Sequence, residues 1–148
     1  MKKRDPKARM QEMTAKLRER GGRLTPQRLA LLELIAAGDG HPNAEQLYAK
    51  IKGRFPTMSF ASVYKTLNLL KELAQVQEID LRDDSRYDGN RPEPHPHIVC
   101  TRCRKIVDGD FEMPPEEIRR MERASGYRIV RPQILFYGLC PACRRSGP

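Results

Sequence analysis

No stretch of this chain is apolar for long enough to cross a membrane, and Met1-Lys2-Lys3-Arg4 leads into polar sequence instead of the apolar core of a secretory leader. The expectation is a soluble, cytoplasmic protein. Histidine and cysteine are scarce, at three and four among 148 residues, and the cysteines fall only in two CxxC pairs, Cys100/Cys103 and Cys140/Cys143. In a reducing compartment such pairs are expected to hold metal, which argues against a disulfide scaffold. Internal repeats and long low-complexity segments are also missing. Negative charge is in deficit, with 19 Asp/Glu against 28 Lys/Arg and a net charge of +9. The imbalance is mostly N-terminal: residues 1–80 carry 15 basic and 9 acidic side chains, the remainder 13 and 10. That distribution favours nucleic acid as a partner over acidic small substrates.

What is present reads as two small domains, residues 1–88 and 95–148, joined by a proline-rich hinge at 89–94. Residues 1–9 form a basic arm, after which Met10, Met13 and Leu17 recur at helical spacing as far as Gly21-Gly22. Thr25 reads as an N-cap and Pro26 as the first residue of a second helix, which buries Leu29, Leu32 and Ile35 and breaks at Gly38-Asp39-Gly40. Asn43 and Gln46 make a capping box for a third helix with Leu47, Tyr48 and Ile51 inward. Ser59 caps a fourth, with Val63, Leu67, Leu70 and Ala74 on its inner face. Ser62, Tyr64, Lys65 and Asn68 fall away from that face near the N-terminal turns, where a recognition helix meets base edges. Residues 76–81 alternate like a strand, and Asp83-Asp84-Ser85 turns into a return strand at Arg86-Tyr87-Asp88. Helices followed by a hairpin form a winged helix-turn-helix pattern; the competing arrangement is a plain helical bundle with a hairpin appended.

Beyond the hinge the pattern changes to a small α/β unit, so the whole chain is α+β. Strands are expected around 98–99, 105–107, 127–130 and 133–139, with a helix from about Pro114 to Gly126 turning Ile118 and Met121 inward. A sheet exposed in this way calls for a covering partner, and a homodimer is the natural one.

The chemistry concentrates at His95-Pro96-His97-Ile98-Val99-Cys100-Thr101-Arg102-Cys103. Alternation along a strand puts His95 and His97 on one face and Cys100 on the other, so one ribbon can serve two metals. Cys100, Cys103, Cys140 and Cys143, the pairs separated by 36 residues, can surround one tetrahedral Zn(II) with no open position, which is a structural role. His41, Asp88, His95, His97 and Asp108 form a sparser second group. Each alone is ordinary as a helix-end, turn or strand-end residue. Together, three imidazoles and two carboxylates suit Fe(II), Mn(II), Zn(II) or Co(II).

Several stretches resemble the ferric uptake regulator family, in order and from residue 20 to residue 143: Arg23-Leu-Thr-Pro-Gln-Arg28, His41-Pro-Asn-Ala-Glu45, Ser59-Phe-Ala-Ser-Val-Tyr-Lys65, Arg86-Tyr-Asp88, His95-Pro-His97, both CxxC pairs and Phe136-Tyr-Gly-Leu-Cys140. The resemblance implies a dimeric winged-helix repressor of double-stranded DNA with a structural zinc and a regulatory metal whose loading selects the DNA-binding conformation. It implies that His41, Asp88, His95, His97 and Asp108 are the regulatory ligands. Asp at 108, where many iron and zinc sensors carry Glu, resembles the peroxide-responsive branch. There Fe(II) and hydrogen peroxide convert a ligand histidine, here His95 or His41, to 2-oxo-histidine and the DNA is released, whereas Mn(II) represses without responding. On this reading the chain binds an inverted-repeat operator as a homodimer, with Tyr64 and Lys65, flanked by Ser62, at base edges, and Arg23, Arg28 and the arm at phosphates or a minor groove. Three positions depart from the family pattern: Arg104 and Ala74 stand where Gly is usual, and Pro96 stiffens the HxH pair. The rival readings are an iron- or zinc-responsive sibling regulator, a non-haem iron enzyme, and a zinc-stabilised interaction module without a regulatory metal.

Overall fold

The computed structural model describes residues 3–38 and 40–147. The first two residues of the basic arm, and Asp39 of the helix-breaking triplet, lie outside the described residues. The chain forms two compact units, divided between Glu93 and Pro94.

Local capping chemistry sets the helices of the N-terminal unit. Helix α1 (Pro6–Glu19) opens on Asp5, whose carboxylate accepts from the Lys7 and Ala8 N–H groups, and places Arg9, Met13 and Leu17 inward. The basic arm is therefore shorter than the sequence suggested: residues 6–9 are helical, and Arg9 is fully buried and unavailable to DNA. Thr25 accepts from Arg28 N–H at the start of α2 (Pro26–Ala37), and Gly38 closes that helix at φ 62°. Helix α3 (Ala44–Lys52) carries the full capping box, with Gln46 N–H donating to Asn43 Oδ1 at 2.8 Å and Asn43 N–H to Gln46 Oε1 at 2.9 Å. Ser59 caps α4 (Phe60–Glu72), which buries Val63, Thr66, Leu67 and Leu70. Strands β1 (Gln77–Asp80) and β2 (Ser85–Asp88) form the antiparallel wing, with Gln77 opposite Asp88. Met13, Leu17, Leu31, Leu32, Ile35, Leu47, Ile51, Val63, Leu67, Leu70 and Tyr87 make one core. Leu29 and Tyr48 sit at its margin, partly buried.

Ala74 does not face that core. It lies exposed just past α4 at φ 54°, because the helix ends in a Schellman turn, with Gln75 N–H donating to Leu70 O at 2.8 Å and Ala74 N–H to Lys71 O at 3.0 Å.

In the C-terminal unit, β3 (His97–Cys100) lies between β4 (Ile106–Asp108), antiparallel to it, and β5 (Leu135–Gly138), parallel to it. Helices α5 (Pro115–Ser125) and α6 (Pro141–Arg145) complete the unit. The strand expected at 127–130 is not formed: Tyr127 and Val130 are 77% and 90% exposed. Helix α5 buries none of its residues, and Met121, expected to face inward, is exposed. A row of apolar side chains runs across one face of the sheet, Val107 and Phe136 each in register with Ile98, and all three are exposed. This chain alone does not cover the apolar surface its sequence pattern marks for burial.

Candidate metal centres and nucleic-acid interface

Cys100 ends β3, Cys103 lies in the turn that follows, and Cys140 and Cys143 belong to the cap and body of α6. Their four Sγ atoms lie within 4.8 Å of one another, and those of Cys103 and Cys140 are 3.8 Å apart. A tetrahedral Zn(II) with bonds of about 2.3 Å separates its sulfurs by roughly 3.8 Å, so the thiols fit that ion. Backbone N–H groups prepare the anions. Donation from Cys103 and Cys140 pulls the Cys100 thiol down to about 6, and the Cys143 N–H lowers Cys140. Cys143 is pushed up to about 12 because it shares a hydrogen bond with the Cys140 sulfur in a crowd of thiols, so a cation is needed before all four ionise. Arg104 takes the left-handed turn after Cys103 at φ 61°, and its N–H donates to Cys100 O at 2.9 Å. Arg102, which the sequence reading passed over, donates to Cys143 O at 2.8 Å and ties down the end of α6.

The five other candidate ligands divide between the units. His41 lies between α2 and α3 at φ 49°, and β2 is stitched to it: Tyr87 N–H donates to Pro42 O at 3.0 Å and the Arg86 guanidinium to His41 O at 3.1 Å. This brings Asp88 Oδ2 to 3.3 Å from His41 Nε2. The other Asp88 oxygen accepts from Asn90 N–H at 3.1 Å and Arg91 N–H at 3.0 Å. In the C-terminal unit, His97 and Asp108 are register partners across β3 and β4. His95 precedes the strand, on a lead-in fixed by Gly109 N–H donating to Pro96 O at 2.8 Å. Asp108 Oδ1 lies 3.0 Å from His95 Nε2 and 3.5 Å from His97 Nε2, with the two rings 4.3 Å apart. Each unit thus holds its own preassembled carboxylate–imidazole set. The donors suit a divalent ion of the borderline class, and the carboxylates already touch the imidazoles they would share it with.

On the N-terminal unit, Arg23, Thr25, Arg28, Ser62 and Lys65 line one groove at the N-terminal ends of α2 and α4. Two helix termini and three basic side chains make it attractive to phosphate. Tyr64 stands apart from this group. Its exposed ring lines a separate cleft with Glu45, Arg82 and Tyr87, whose own phenol is pushed up by burial and then by the nearby Glu78 charge.

The pattern of the ferric uptake regulator family matches residues 19–137. The peroxide-responsive repressor PerR of Staphylococcus epidermidis is 32% identical over 139 residues, covering 93% of this chain and 92% of that protein. Among solved structures, the Campylobacter jejuni peroxide stress regulator is 33% identical with a TM-score of 0.65, covering 90% of this chain and 98% of its own. The Helicobacter pylori ferric uptake regulator Fur shares the fold across 100% of both chains, with a TM-score of 0.73 at 22% identity. With two CxxC pairs gathered around one point, carboxylate–imidazole sets on both units and a basic groove beside α4, the chain belongs to the ferric uptake regulator family.

Proposed function

We propose that the protein is a metal-dependent, peroxide-responsive transcriptional repressor that binds an inverted-repeat operator as a homodimer. Cys100, Cys103, Cys140 and Cys143 hold a structural Zn(II), and His41, Asp88, His95, His97 and Asp108 are the ligands of a regulatory Fe(II) or Mn(II). The observation that carries the reading is Asp108, a short carboxylate held against both His95 and His97, together with the peroxide-responsive relatives. Held by these residues, Fe(II) would supply the electrons for reduction of hydrogen peroxide beside a ligand imidazole. The chain's own part is to present those imidazoles, His41 and His95 among them, and to lose its grip on the ion once one ring is oxidised. Ser62 and Lys65 approach bases from α4, with Arg23 and Arg28 on phosphates in the same groove. Tyr64, exposed beside that groove on α4, reaches a base as well.

The test uses zinc-loaded protein and an operator selected from random duplexes, with binding measured after adding Fe(II), Mn(II), Zn(II) or no metal, before and after a small excess of hydrogen peroxide. The Fe(II) form should leave the DNA and gain an oxygen atom on the peptide carrying His41 or His95, while the Mn(II) form stays bound and unmodified. An Fe(II) form that stays bound without modification overturns peroxide sensing and makes the protein an iron- or zinc-responsive sibling.

A further inference from the structure

Arg9 and Asn90 are almost wholly buried, at 0% and 3% exposed, and neither metal ligation nor DNA contact uses them. A guanidinium is costly to bury unless its donors are taken up, and here they are. Arg9 Nε donates to Gly89 O at 3.0 Å, one terminal nitrogen to Gln75 O at 2.9 Å, and the other pairs with Glu12. Asn90 Nδ2 donates to Ala36 O at 3.0 Å and Arg4 O at 2.9 Å, while its Oδ1 accepts from Arg4 N–H at 2.9 Å. Between them Gly89 packs so closely on α2 that an added Cβ would lie 2.3 Å from Ile35 Cγ2. The turn after Asp88 is therefore gripped by α1, its lead-in and α2. That grip aims the Asn90 and Arg91 N–H groups at Asp88 Oδ1 and leaves Oδ2 toward His41.

We propose that docked α1 and its lead-in, holding the turn after Asp88 through Arg9 and Asn90, are the positioning element for Asp88 and so set the affinity of the regulatory metal. The proposal rests on the reading of Asp88 as a ligand. Coupling of this kind is reciprocal, so metal at Asp88 must also strengthen the docking of α1.

The experiment titrates full-length, zinc-loaded protein with Mn(II) and records the visible spectrum of the Co(II)-substituted form. Asn90→Ala keeps the backbone N–H but releases the turn that aims it at Asp88, and should weaken Mn(II) binding by roughly tenfold, the usual cost of disturbed outer-sphere support, and shift the Co(II) bands while zinc content holds. Ile51→Val, which loosens the same unit by packing alone, should change neither. Asp88→Ala should abolish Mn(II) binding; if it does not, the ligand reading itself fails. If Asp88→Ala abolishes binding and folded Asn90→Ala matches the unaltered protein, the positioning role is overturned. Hydrogen exchange on the unaltered protein decides the matter even if Asn90→Ala does not fold. Mn(II) should slow the amides in the first turns of α1, and no slowing overturns the proposal.

Discussion

Ala74 stands in the left-handed region, where an L-residue pays for its Cβ. Helix α1 ends in a Schellman turn with Gly21 at φ 79°, and α4 ends in the same turn with Ala74 at φ 54°. The non-glycine conformation costs about 1–2 kcal/mol, and glycine returns part of this through its freer unfolded chain. Ala74→Gly should therefore stabilise the N-terminal unit by about 0.5–1 kcal/mol, read as a higher urea midpoint at unchanged slope. Tyr87 is the complementary case. Its buried phenol has a raised pKa, so the unfolded chain ionises first as pH climbs past 10. The stability it contributes is complete below that pH and lost above it, and Tyr87→Phe should fall off less steeply than the unaltered protein between pH 10 and 11. On the DNA side, Lys65→Ala should weaken operator binding far more than non-specific binding. Arg23→Ala should weaken both alike and reduce the salt slope by about one; equal losses for Lys65→Ala would remove it from base reading.

At the scale of elements, what was legible in the sequence was whatever is decided within a few residues. Thr25-Pro26, Asn43 with Gln46, and Ser59 placed three helix starts because a cap and the N–H groups that donate to it are neighbours. The cysteine pairs were legible for the same reason, each being one local knuckle, although the meeting of the two is a property of β3 lying beside β5. Arg9 was not legible, because its acceptors on Gly89 and Gln75 are 80 and 66 residues away and a basic residue near a terminus reads as solvated. Nor was the missing strand at 127–130, where the alternation signals apolar surface without saying what covers it. Helix α6 shows how far local signals reach. Five residues are too few for an independent helix, and its cap is a sulfur, Cys143 N–H donating to Cys140 Sγ at 3.4 Å. Cys140→Ser should therefore lose the proposed zinc, melt α6 and expose the C-terminal unit to protease. The N-terminal unit, with its own core, should survive as a resistant fragment.

For the whole molecule the open question is what lies over Val107, Ile98 and Phe136. Three apolar side chains in register across three strands, with Tyr127, Val130 and Met121 also exposed, are more than solvent-facing surface ordinarily carries. A second copy presenting the same face would bury them by a two-fold contact, and that symmetry would match an inverted repeat with one reading head per half-site. Ile98→Asp with Phe136→Asp should then sediment as a monomer at concentrations where the unaltered protein is a dimer. The proposed zinc should be retained, because both substitutions lie outside the two CxxC pairs and leave all four thiols in place. A monomer engages one half-site at a time and forfeits the gain from linked binding, so operator affinity should fall by about 10²–10⁴ while the preference for operator over unrelated duplex narrows but persists. A doubly substituted protein that remains dimeric and binds as before would show that this face is not where the copies meet.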